Sequence, residues 1–198
     1  MSLYTLALFA HVIGAICIFT VIGIWLFSVA ALRRAVSVEQ VRLIAAPTII
    51  CGNLAVGALL ILGAAGIYMA STAWDGGRAP WIVVATASFL LIGPVGAFVL
   101  DPRLRAIARL ARTAPDGPLP TELAIRVRDP ILGAGLQIYF AMLFGIVFLM
   151  ITKPLLEIAI LAVATALALG LISSVPLFWR RPRGRGKGTR GSAAQATA

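Results

Sequence analysis

Apolar residues run along this chain in long continuous stretches, not in alternation with polar ones. Five stretches stand out, at 3–32, 45–70, 80–100, 131–151 and 155–179. A helix needs roughly 20 apolar residues to cross a hydrocarbon core about 30 Å thick. Each stretch meets that length. A membrane β-barrel would instead alternate in segments of about 10 residues. The pattern predicts an all-α polytopic transmembrane helical bundle with five spans. The first run has no basic segment ahead of it and is too long for a signal core, so it is expected to stay in the protein. Pro47 near the start of the second run reads as an entry residue. Asp129-Pro130 reads as a cap and first-turn proline for the fourth run. Pro94, within Gly93-Pro94-Val95-Gly96, is expected to kink the third.

Composition narrows the class. Of 198 residues, 61% are hydrophobic and 12% charged, against about 45–50% and about 25% in soluble domains. A chain of this size has no soluble core large enough to hide that surface. This excludes a separate soluble domain and the Rossmann and barrel enzymes. The net charge of +10 would suggest nucleic acid if read alone. Its distribution says otherwise. Of the 17 lysines and arginines, only Arg78 and Lys153 fall outside the segments that follow the first, third and fifth runs. Basic residues mark cytoplasmic loops. The expected topology is an external N-terminus and a cytoplasmic C-terminus in a bacterial inner membrane, with lipid and not nucleic acid as the partner. Tyr4, Tyr68, Trp74 and Trp81 then fall near the outer interface and Trp179 near the inner one. The first 179 residues form the membrane domain. Residues 180–198, rich in Gly, Arg and Ala, are expected to be a disordered, topology-anchoring tail. The amphipathic segment 104–111 reads as a helical extension with a solvated face or as a headgroup-binding surface.

The interiors of the five runs carry no Asp, Glu, Lys or Arg, which argues against a proton pump or cation channel. The polar residues left inside are His11, Cys17, Cys51, Asn53, Thr86, Ser88, Gln137 and Tyr139. At about 1.5 Å per residue, His11 lies roughly 12 Å below the outer face and Met142 roughly 17 Å above the inner one. Those depths match, and because His11 is the only histidine, a haem site there would need a methionine such as Met142 or a partner subunit. The other reading of His11 is a packing histidine that donates to a backbone carbonyl. Cys17 and Cys51, each roughly 9 Å from the inner face, are either a soft pair for Cu(I) or ordinary small apolar residues. Asn53 and Gln137 suit interhelical hydrogen bonds. No phosphate loop, nucleophile elbow or metalloprotease motif is present.

Two stretches carry a family resemblance. Leu8-Phe9-Ala10-His11-Val12-Ile13-Gly14-Ala15 resembles the first-helix start of a bacterial family of predicted integral membrane proteins. Phe148-Leu149-Met150-Ile151-Thr152-Lys153-Pro154 resembles the end of that family's fourth helix. The family is similar in layout to copper-resistance D-like proteins and to the haem-binding J-type protoporphyrinogen oxidases. That layout implies a haem ligand at His11 and an anion-partnering role for Lys153 near the outer face. Three functions follow as expectations. The first is a non-catalytic or accessory membrane component, working as a homo-oligomer or in a membrane complex. The second is a haem- or redox-linked protein using His11. The third is a transporter of a small molecule or metal ion.

Overall fold

The computed structural model describes residues 2–179, so the tail expected over 180–198 lies outside the described residues. Seven α-helices follow in order: α1 Leu3–Leu32, α2 Val38–Ala73, α3 Pro80–Pro94, α4 Asp101–Thr113, α5 Thr121–Val127, α6 Pro130–Thr152 and α7 Leu156–Trp179. A π-helical stretch, Val95–Leu100, joins α3 directly to α4. Among the described residues, five helical stretches are long and apolar enough to cross a membrane. No strand forms among the described residues. The chain is the all-α, five-span bundle that its hydropathy predicts.

Helices α1 and α2 make the most extensive interface. On α1 the buried residues Gly14, Ile18, Val21, Trp25, Ser28 and Leu32 recur at alternating steps of four and three. That spacing draws one seam along a helix. His11 meets Leu62 and Trp25 meets Thr48, so the pair runs antiparallel. The Trp25 indole donates to the Thr48 carbonyl at 3.2 Å, and the Thr48 hydroxyl donates to Ala45 O at 2.7 Å. Helices α6 and α7 close on small residues. A Cβ on Gly170 would stand 2.7 Å from Ile138 Cα, so only glycine allows the two backbones that near.

At the arginine-rich end, α2 starts earlier than its apolar run. Ser37 caps it by accepting from the Gln40 N–H, and Val38 and Val41 are fully buried. Pro47 therefore lies well inside the helix and not in its first turn. Helix α4 extends the third span. It buries Leu104, Ile107, Ala108 and Ala111 and leaves Arg109 and Arg112 exposed. Arg42 of α2 reaches its last turn and donates to Ala111 O at 3.0 Å, Ala114 O at 2.9 Å and Asp116 Oδ1 at 2.8 Å. Asp129 joins three helices. Its Oδ1 caps α6 through the Ile131 N–H at 2.8 Å. Its Oδ2 accepts from Arg103 at 3.3 Å, and its carbonyl from Arg33 at 3.1 Å.

Arg42 satisfies helix-end carbonyls that have no intrahelical partner. Arg42→Ala is expected to lower stability by about 1–3 kcal/mol. Arg42→Lys should restore only part of the loss, because an ammonium lacks the planar fork. Thermal unfolding of the three proteins in one detergent measures both effects.

Candidate functional site

His11 sits half-buried on the α1–α2 seam, with its Nδ1 3.0 Å from Leu62 O. A carbonyl only accepts, so Nδ1 carries a proton, and in the neutral ring Nε2 is the nitrogen with the lone pair. The ring lies against bare backbone. A Cβ on Gly66 would be 3.2 Å from His11 Cε1. Met142 stands elsewhere, in the wall of a cleft of about 400 Å³ between α3, α6 and α7. That wall is apolar, includes Val84, Ile92, Val95 and Tyr139, and contains no residue of α1. The matched depths of His11 and Met142 therefore do not place them on a common wall.

Cys17 and Cys51 are both free thiols of the main core, Cys51 buried and Cys17 packed against it. Among the described residues, no group of three or more His, Cys, Asp or Glu gathers. Lys153 ends α6 in the left-handed region at φ 47°. Its Nζ lies 4.4 Å from the centre of the Trp74 ring, and Trp74 meets Trp81 edge-on at 5.3 Å. This is a cation over an aromatic face at the end of the bundle opposite the arginines. Lys153 is exposed.

A polar part of the bundle wall lies where the apolar runs end. Pro94 has no N–H to give, and the helix beyond it widens into π turns. The Asp101 N–H reaches back to Gly96 O, the five-residue step of a π-helix. The helix thus carries on past Leu100 and holds Asp101 in the wall of the bundle, its side chain only 18% exposed. One carboxylate oxygen pairs with Arg105 Nε at 2.5 Å, and Arg105 Nη2 donates to Asn53 Oδ1 at 2.8 Å. The other, Oδ1, is buried without a hydrogen-bond partner. It faces Gly52, where a Cβ would collide with it. Above lies a cavity of about 80 Å³, bounded by Ile18, Trp25, Gly52, Gly96 and Tyr139. The Tyr139 ring fits against Gly96, with 3.0 Å from Cε2 to the position a Cβ would take. Tyr139 also belongs to the apolar cleft, so its ring divides the two spaces.

Asp101 is the first charge after an apolar run, and a hydropathy reading ends the span there. The signal that points inward is the Pro94-Val95-Gly96 break five residues ahead, which changes the face that Asp101 presents. Gly52→Ala should displace the Asp101 carboxylate and cost about 1–3 kcal/mol, whereas Gly57→Ala, with nothing near its Cβ position, should be neutral or mildly stabilising. Thermal unfolding of both variants in one detergent tests this, and equal melting temperatures would place Asp101 away from Gly52.

The comparisons with known proteins agree with this architecture. One family model, described as predicted integral membrane protein (DUF2269), matches residues 5–154. Neither the curated proteins nor the solved structures provide a match. The match starts in the first turn of α1 and ends just past α6, so it takes in His11, the Asp101 pocket and Lys153, while α7 lies beyond it. Covering most of the chain, it establishes that this protein belongs to the DUF2269 family of predicted integral membrane proteins.

Proposed function

We propose that the protein is a non-catalytic component of a bacterial inner membrane, with its N-terminus outside, its arginine-rich end in the cytoplasm, and a role accessory to a homo-oligomer or membrane complex. The use made of its polar side chains carries this reading. His11 and Trp25 of α1 each direct a side-chain hydrogen bond to a carbonyl of α2, while Thr48, Ser88 and Ser174 bond back into their own helices. Arg33 and Arg42 do the same for helix ends. Side chains used in this way hold helices together. Orientation follows from the arginines, which collect on the side expected to face the cytoplasm. A C-terminal reporter active only in the cytoplasm should give signal, and one active only outside should not. The opposite pattern would overturn the orientation. Native-membrane extraction in mild detergent should yield the chain in a complex larger than its monomer, and a monomer alone would count against the accessory role.

A haem- or redox-linked role has one observation in its favour. A metal-ligating imidazole ordinarily donates its second N–H to a carbonyl or carboxylate, and His11 does so to Leu62 O. On that reading Nε2 is the ligating atom, and a partner subunit completes the axial pair. Protein purified from its native membrane should then show a Soret band that His11→Ala abolishes. No band before or after haem addition would refute this reading and leave the accessory role standing.

A further inference from the structure

The accessory role requires a surface that meets another protein, and α2 carries one. Ile50, Asn53, Gly57, Leu60, Ala64 and Ile67 follow one another at steps of three and four, and each is exposed. That spacing draws a second seam along α2, turned away from the buried Ala45, Thr48 and Cys51. Two positions set it apart from an ordinary lipid-facing stripe. Nothing stands within 4 Å of the place a Cβ would take on Gly57, so another helix can come close to the backbone there. Asn53, one turn away, lies about 12 Å inside the apolar run that begins at Ala45. Its Oδ1 accepts from Arg105 Nη2 at 2.8 Å. Its amide N–H groups have no acceptor among the described residues. In hydrocarbon there is no water to take those donors.

We propose that this face is the interface of a parallel homodimer, in which α2 packs on the α2 of a second copy about a twofold axis along the membrane normal. The proposal rests on the accessory reading and names its partner. Copies in one bilayer share one topology, so each residue of α2 lies at the same depth as its counterpart. A twofold axis therefore sets Asn53 opposite Asn53 with no adjustment of register. A carboxamide both donates and accepts, so each Asn53 Nδ2 can donate to the other copy's Oδ1. That oxygen has a second lone pair, and the bond from Arg105 is kept. A different protein would need an acceptor at this one depth, and a lipid chain offers none. Gly57 lies next along the seam and lets the two backbones approach. The Arg105 side chain, 40% exposed, stays paired with Asp101 at the rim.

Two measurements on the full chain in liposomes test this. Wild-type chains carrying donor and acceptor dyes at the C-terminus should show energy transfer that persists as lipid is added. Gly57→Leu, whose Cβ meets nothing in its own chain, should raise the dissociation constant severalfold, and Asn53→Leu should do the same. Leu90→Ala, at a 66% exposed site on α3, should leave it unchanged. Cross-linking then locates the face. In a chain carrying Cys17→Ala and Cys51→Ala, copper–phenanthroline oxidation should join Gly57→Cys into a covalent dimer at severalfold higher yield than Leu90→Cys. Wild-type protein that is monomeric at every lipid dilution overturns the proposal, as does a dimer that cross-links through Leu90→Cys as readily as through Gly57→Cys. Either result leaves the accessory reading standing, because native-membrane extraction tests that reading separately through a complex with another protein.

Discussion

Inside lipid, helices gain nothing by hiding apolar faces from their surroundings, because acyl chains are as apolar as leucine. Association has to come from close packing and from the few polar groups that find partners. This bundle depends on that constraint throughout. Its largest interface carries Trp25 and Thr48, whose hydrogen bonds end on carbonyls of α2. Its α6–α7 seam closes where Gly170 brings backbone against backbone. Leucine and isoleucine are abundant on the outside, where they meet lipid and decide nothing about which helix packs on which.

The arginines serve two purposes that one sequence pattern encodes. Their distribution marks a side of the membrane. Their positions at helix ends also let guanidinium groups reach carbonyls left open there. Arg42 takes carbonyls at the end of α4, and Arg33 takes those ahead of α6. Charge that looks like a topology label is therefore also the fastening of the arginine-rich end. Asp129 stands at the centre of that fastening, bonded from α1, α4 and its own helix.

Much of this was legible from residues alone. Five long apolar runs define five spans, and Asp129-Pro130 declares the start of α6. His11 was readable as a carbonyl donor because a neutral imidazole in hydrocarbon must place its N–H somewhere. Other features depend on tertiary contacts that periodicity does not carry. The early start of α2 rests on Ser37, on the burial of Val38 and Val41, and on the Val38 N–H donated to Gly117 O. Met142 shares a depth with His11, yet depth along an axis says nothing about azimuth, and the cleft that Met142 lines has no residue of α1. Asp101 escaped because a hydropathy reading stops at the first charge, while the helix itself does not.

The π-helical stretch has a consequence for phase. An α-helix advances about 100° per residue, since 3.6 residues make a turn. The apolar face that α3 turns toward α6 and the face that α4 turns toward α2 belong to one continuous rod. A uniform α-helix would lock the angle between those faces to the residue count. The wide turns at Val95–Leu100 absorb the difference, acting as a fixed rotational offset between the membrane half of the rod and its arginine-rich half. The rod can therefore satisfy two neighbours that demand different azimuths. Any slip of those turns back to α geometry would rotate the two halves against each other, moving Asp101 and the apolar side of α4 together.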